Sequence, residues 1–162
     1  MSDTEPSRPR GAAPPEEQDW NQQMIAEFRQ NHGRLSGPFE GAPVLLLHHL
    51  GAKTGTERVN PMMYQQVGNS YAVFASAAGR ERHPAWYHNL RNHPDTDIEI
   101  ADAGTDTGIT TVPVRARVAE PHEREPIWAT QKQRYPGFAD YESQTQRTIP
   151  VVLLEPSTSE QP

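Results

Sequence analysis

Six segments with the apolar content or two-residue alternation of β-strands follow one another along this chain with few helices between them. They are Val44–Leu50, Arg58–Val67, Ser70–Ser76, Thr96–Ala101, Thr110–Ala119 and Thr148–Leu154. A doubly wound parallel sheet needs a crossover helix after almost every strand, so this order excludes it. Gly68-Asn69 between the second and third segments is a tight hairpin signal, because both residue types tolerate the left-handed backbone such turns require. The expected fold is therefore mainly β with helices (α+β), a small antiparallel barrel with helices at its rim.

Three helices complete the pattern. Trp20, Met24, Ile25 and Phe28 recur at helical spacing over Asp19–Asn31, and His32-Gly33 stops the run. His83-Pro84 opens a second helix striped by Trp86, Tyr87 and Leu90, which Asn92-His93-Pro94 ends. Glu120–Arg134 forms a third, stopped by Tyr135-Pro136-Gly137. At 162 residues the chain is one domain, expected over 18–156. Residues 1–17 hold four prolines and no large apolar side chain beyond Met1, so they read as a disordered tail, as do residues 157–162.

Absence of cysteine excludes disulfides, thiol catalysis and thiolate metal sites. The longest apolar run, Ala42–Leu47, is far below the roughly 20 residues of a membrane span. These features predict a soluble, cytoplasmic protein. The net charge of −6 argues against nucleic-acid binding, which needs a basic surface. Yet residues 48–93, with Lys53, Arg58, Arg80, Arg82 and Arg91 against Glu57 and Glu81, carry about +3. Such a reversal points to a small anionic ligand, with a set of solvated surface cations as the alternative.

Gly51-Ala52-Lys53-Thr54-Gly55 has the residue types of a phosphate cradle: glycines that let N–H groups turn inward, a charge and a hydroxyl. Its spacing is not that of a Walker A loop, and a plain hairpin connection is the other reading. His48 and His49 are adjacent on a strand, so they point to opposite faces and cannot chelate together. His83 and His88 miss the i, i+4 spacing of a helical zinc site, so no metal is expected. Neither G-x-S-x-G nor G-x-G-x-x-G occurs. Tyr135, Phe138 and Tyr141, three apart, are either a core stripe or an aromatic flap over a pocket.

These motifs together resemble one family. Gly41-Ala42-Pro43-Val44-Leu45-Leu46-Leu47, Gly51-x-Lys53-Thr54-Gly55-x-x-Arg58-Val59-Asn60-Pro61 and Ala75-Ser76 appear in order. His83-Pro84-Ala85-Trp86-Tyr87-His88-Asn89-Leu90, Tyr135-Pro136-Gly137-Phe138-Ala139-Asp140-Tyr141 and Arg147-Thr148-Ile149-Pro150-Val151-Val152 follow. Over about residues 19–156 the chain resembles the deazaflavin-dependent nitroreductases of the flavin/deazaflavin oxidoreductase superfamily. The resemblance implies a split β-barrel holding coenzyme F-420, a deazaflavin with a phosphodiester and an oligoglutamate tail, with flavin mononucleotide as the less favoured cofactor. It also implies hydride transfer to a quinone-like or nitroaromatic acceptor, the alternative being a non-catalytic deazaflavin- or flavin-binding protein of the same fold.

By the same resemblance Ala52, Lys53, Thr54 and Arg58 hold the phosphate and acidic tail. Val59, Asn60, Pro61, Met62 and Met63 line the cofactor. Phe74, Ala75, Ser76 and Ala77 meet the deazaflavin, and Ala85, Trp86, Tyr87, His88 and Asn89 close its cleft. Tyr135, Phe138 and Tyr141 cover the acceptor. Ser76, at the end of a strand beside the basic loop, is expected to donate a hydrogen bond near the reacting centre, and Tyr141 to supply the proton that accompanies the hydride. Three departures stand out: Ala52 where the family has arginine, Ala77 where its nitroreductase has lysine, and Phe138 in place of tyrosine. The loss of a phenol argues against nitro-prodrug activation specifically. The first helix has few cations, so only weak membrane association is expected of it.

Overall fold

Strands that follow one another closely in sequence can pair only as antiparallel neighbours, and every strand pairing among the described residues is antiparallel. A computed structural model describes residues 15–51 and 53–157, apart from the side chains of residues 15–19 and 38. The strands are β1 (Val44–Leu50), β2 (Glu57–Met63), β3 (Gln65–Val67), β4 (Ser70–Phe74), β5 (Asp95–Ala101), β6 (Ile109–Val118) and β7 (Val151–Pro156). They form one sheet in the order β2-β1-β5-β6-β7-β4-β3. The helices are α1 (Pro15–Gln30), α2 (Ala85–Asn92), α3 (Pro121–Arg134) and α4 (Gly137–Ser143).

The sheet curls. Leu45 and Leu47 of β1, near one end of the strand order, share a buried cluster with Val73 of β4, near the other. Ile98, Val114, Val152 and Leu154 fill the same concave side, and Tyr87 and Leu90 of α2 close it. Tyr64 meets Tyr71 edge-on at 5.5 Å between centroids, drawing the two ends together. The result is a split β-barrel.

Period-two alternation then commits the opposite side of each strand to a helix. On the convex face Val44 and Leu46 pack with Met24 and Phe28 of α1, while Phe74, Val151 and Leu153 pack with Ile127 and Trp128 of α3.

Several boundaries differ from the expectations. Helix α1 begins at Pro15, inside the tail expected to be disordered, and a proline is tolerated at a first helical turn because its missing N–H would be unpaired there anyway. The rest of both tails lies outside the described residues. Trp20 leaves the expected apolar stripe: it is 45% exposed and lies against Phe39 instead. The long second strand divides at Tyr64, whose N–H donates to Pro43 O, so β2 pairs with β1 and β3 with β4. Pro84 precedes α2 as its cap, and Pro136-Gly137 ends α3 only to begin α4. Among the described residues no helix is long and apolar enough to cross a membrane.

Candidate active site

The β1–β2 register sorts the expected cofactor-binding stretch into two groups. Arg58 lies opposite His49, Asn60 opposite Leu47 and Met62 opposite Leu45, so these three share the concave face. Val59 and Met63 alternate onto the convex face and pack against the α1 cluster. Pro61, opposite Leu46, belongs to that second set, and a proline is accommodated there because β2 is an edge strand.

At the mouth of the concave face the connection from β1 to β2 folds on itself. Gly51 N–H donates to Thr56 O at 2.9 Å, Gly55 N–H to Gly51 O at 2.8 Å, and Thr56 N–H to Thr54 Oγ1 at 3.2 Å. Gly51 is buried, and a Cβ there would approach Thr54 Oγ1 to 2.8 Å and Arg58 Nε to 3.6 Å. A side chain here would displace the Thr54 hydroxyl, which lies beside the Arg58 guanidinium over one small space. Lys53, Thr54 and Arg58 are exposed, and neither cation has an ion-pair partner among the described residues. Ala52 lies outside them.

Directly inward sits a constellation that spacing does not reveal. His49 is 3% exposed; its Nε2–H donates to Asn60 Oδ1 at 2.7 Å, and its Nδ1 accepts from Asn89 Nδ2 at 2.9 Å. Burial first, and then the nearby positive charges of Arg58 and His48, push its pKa below the ordinary histidine value despite the bond to Asn60. The imidazole is therefore neutral, and it fixes the orientation of two of the expected cofactor ligands. A pair of histidines on a largely apolar strand is the sequence clue, and it does not identify partners 11 and 40 residues away.

Met62, Ala75, Trp86 and Tyr87 gather in the concave cluster beside these groups, whereas His88 is exposed on α2 with its ring edge-on to Tyr87 at 5.6 Å. Ala85, the first residue of α2, is half-buried. Phe74 faces the other way: its ring lies 5.6 Å from Phe138 and 5.8 Å from Trp128. Tyr141 meets Phe138 edge-on at 5.5 Å, so two members of the expected aromatic series join the outer cluster while Tyr135 does not.

Between the two clusters runs the segment from Ser76 to His83. Ser76 is buried, and Ala77, Ala78 and Gly79 have φ of +48°, +54° and +83°. Two alanines in the left-handed region are a strained arrangement of the kind that persists only where surroundings enforce it. A shallow cleft of about 470 Å³ along Glu27, Asn31, Arg34 and Glu40 includes none of the expected site residues.

Comparison with known proteins gives this arrangement a family. The F420H(2)-dependent quinone reductase family matches residues 20–156. An F420H(2)-dependent quinone reductase of Mycobacterium tuberculosis (strain ATCC 25618 / H37Rv) is 36% identical over 133 residues, covering 80% of this chain and 85% of its own. The solved structure of an F420-H2 dependent reductase superposes with a TM-score of 0.60 at 34% identity, covering 70% of this chain and 94% of that one. A further structure, described as a domain-swapped dimer, reaches a TM-score of 0.62 at 29% identity over 86% of this chain and 99% of its own. The chain belongs to the F420H(2)-dependent quinone reductase family.

Proposed function

We propose that this protein is a coenzyme F-420-dependent reductase that acts on a quinone-like acceptor. The observation that carries the reading is the Gly51 cradle, where a side chain would displace the Thr54 hydroxyl beside Arg58, flanked by two exposed cations without carboxylate partners among the described residues. An anionic cofactor with a phosphodiester and carboxylate tail fits that donor set, since guanidinium and hydroxyl both donate to phosphate oxygens. Inward from the cradle, Asn60 and Asn89 are held by His49 beside the apolar surface of Met62, Ala75, Trp86 and Tyr87, a lining suited to a flat heterocycle.

When bound, the reduced deazaflavin supplies the hydride. The protein's own groups then orient and polarise. Lys53, Thr54 and Arg58 hold the phosphate and tail, Asn60 and Asn89 fix the ring position, and the apolar wall excludes water. Ser76 Oγ–H donates a hydrogen bond as negative charge develops at the reacting centre. Tyr141 closes over the acceptor and holds, at Oη, the proton that accompanies the hydride. The family match supports a quinone-like acceptor over a nitroaromatic one.

Cofactor titration of wild type, Lys53→Ala and Arg58→Ala at low and high salt tests the assignment. Loss of one charge-assisted hydrogen bond, about 1.5–3 kcal/mol, predicts roughly ten- to hundred-fold weaker binding for each variant. Affinity should also fall with salt. Wild-type affinity in both variants with no salt effect would sink the cradle. Turnover of the reduced cofactor with menadione separates an enzyme from a mere binder. Unchanged turnover in Ser76→Ala, or in Tyr141→Phe, removes the role given to that residue.

A further inference from the structure

Arg147, between α4 and β7, directs one guanidinium at three points of a single distant segment. Nε–H donates to Arg80 O, an Nη1 hydrogen to His83 Nδ1 and an Nη2 hydrogen to Ser76 O, each at 2.9 Å. Between the first and second of those carbonyls in the chain lie Ala77, Ala78 and Gly79, all with positive φ. Within that turn Gly79 N–H donates to Ser76 O at 2.9 Å and Arg80 N–H to Ala77 O at 3.1 Å. These two bonds do not oblige an alanine pair to adopt a conformation that L-residues avoid.

Two further contacts bind the same turn to the same region. Gly79 presses against the end of α4, where an added Cβ would lie 2.8 Å from Gln144 Oε1 and 3.1 Å from Tyr141 O. Thr145 Oγ1 donates to Glu81 Oε1 at 3.0 Å and accepts from Arg147 N–H at 3.3 Å. Among the described residues no carboxylate is in direct contact with the guanidinium, and its three acceptors are two carbonyls and an imidazole. A half-buried arginine kept for stability alone is better served by a carboxylate. This one instead fixes backbone shape.

We propose that Arg147 is a positioning residue for the reaction: it holds the left-handed turn after Ser76 against α4 and fixes His83 as the neutral tautomer with its proton on Nε2. The inference rests on the proposed reading of Ser76 and Tyr141 as acceptor-side groups. Arg147 unites them, because the turn that follows Ser76 and the helix that carries Tyr141 meet at Gly79. Donation to Nδ1 leaves only Nε2 to carry the imidazole proton. Burial first, then the positive charge of Arg147, with His88 and Arg91 of α2 contributing, holds the His83 pKa below its ordinary value.

The test compares wild type with Arg147→Lys and Arg147→Ala. Lysine keeps the charge but cannot reach three divergent acceptors from one nitrogen. At saturating cofactor and menadione, kcat should fall roughly ten- to hundred-fold in Arg147→Lys, as a displaced reacting geometry demands, while cofactor affinity at the Gly51 cradle changes less than about threefold. Added guanidinium should restore part of the rate of Arg147→Ala.

Nitrogen-15 NMR of the His83 ring gives a readout independent of turnover. Wild type should show a protonated Nε2 and a bare Nδ1, and Arg147→Ala should mix the tautomers and raise the titration midpoint. If Arg147→Ala does not fold, Arg147→Lys carries both measurements. A wild-type kcat in Arg147→Lys, or unaltered His83 tautomer and titration in the variant measured, overturns the proposal. Failure of the wild-type protein to bind the cofactor would instead overturn the reading of the site, and the NMR comparison would still decide whether Arg147 holds His83.

Discussion

His48 and His49 are neighbours on one strand and live in opposite chemical worlds. His48 faces outward between two carboxylates, its Nδ1 2.7 Å from Glu57 and its Nε2 2.6 Å from Glu99, and Glu99 is also gripped by Arg29 of α1 at 2.6 and 3.0 Å. Burial alone would lower the His48 pKa, but the hydrogen bonds to Glu57 and Glu99 outweigh it and the net shift is upward. His49 faces the concave side between two amides, and its pKa is lowered. One residue of strand offset therefore decides charge. The ionic side fastens α1 to the barrel; the neutral side positions Asn60 and Asn89. The concave side of β1 is in this way built on amide dipoles, with the formal charges kept at the mouth and on the outer face.

The neutral side should be the more costly to break. His49→Ala removes the imidazole partner of buried Asn89 Nδ2 and half-buried Asn60 Oδ1, and with about 1–3 kcal/mol for a buried group and less for a half-buried one, a loss of about 2–3 kcal/mol is expected by chemical denaturation. Cofactor affinity should fall with it, since both amides then reorient. If His49→Ala is as stable as wild type, the inner triad is incidental and the comparison fails.

Glu99→Gln tests the ionic side. Glu99 is 9% exposed and joins α1, β1 and β5 through Arg29 and His48. Because Arg29 is about half exposed, the pair is screened, and about 1–2 kcal/mol is expected, smaller than for His49. Cofactor affinity should not move, because nothing on the concave face is touched. Equal effects of Glu99→Gln and His49→Ala on cofactor affinity would remove the separation of the two faces.

Much of this fold was legible because local rules and global packing agree in it. Val44–Leu50 is all but continuous in apolar residues and is β1 to the residue; Gly68-Asn69 forms the β3–β4 turn; and the opposite facing of His48 and His49 followed from pleat alone. Pattern reading failed where a distant group overrides a local preference. Ala77 and Ala78 disfavour positive φ, and what holds them is Arg147, about 70 residues away. Family resemblance grouped Val59 to Met63 as one lining, and only the register with β1 divides it between faces. Phe138 and Tyr141 sat at helical spacing in either reading; their packing on Phe74 and Trp128 depends on how β4 meets α3.

The smallest effect is also the one that separates the histidines most directly. Stability changes with pH in proportion to the protons bound by the unfolded chain minus those bound by the folded one. Between the ordinary histidine value of 6.5 and its raised folded value, His48 holds its proton only in the folded protein, so its contribution is fully present below pH 6.5 and is lost as pH rises through the folded pKa. His49 behaves oppositely: between its lowered folded value and 6.5 the unfolded chain binds the extra proton, so its contribution is present above 6.5 and is lost on acidification. Glu99, held below the ordinary carboxylate value by Arg29 and His48 against the effect of burial, adds a loss only as pH falls below about 4.5. Thermal unfolding of wild type, His48→Gln and His49→Gln from pH 5.5 to 8.5 should therefore show slopes altered in opposite directions. His48→Gln should lose the decline at the alkaline end, and His49→Gln the decline at the acid end. Slopes changed in the same direction would mean that the two imidazoles share one environment, whatever their faces.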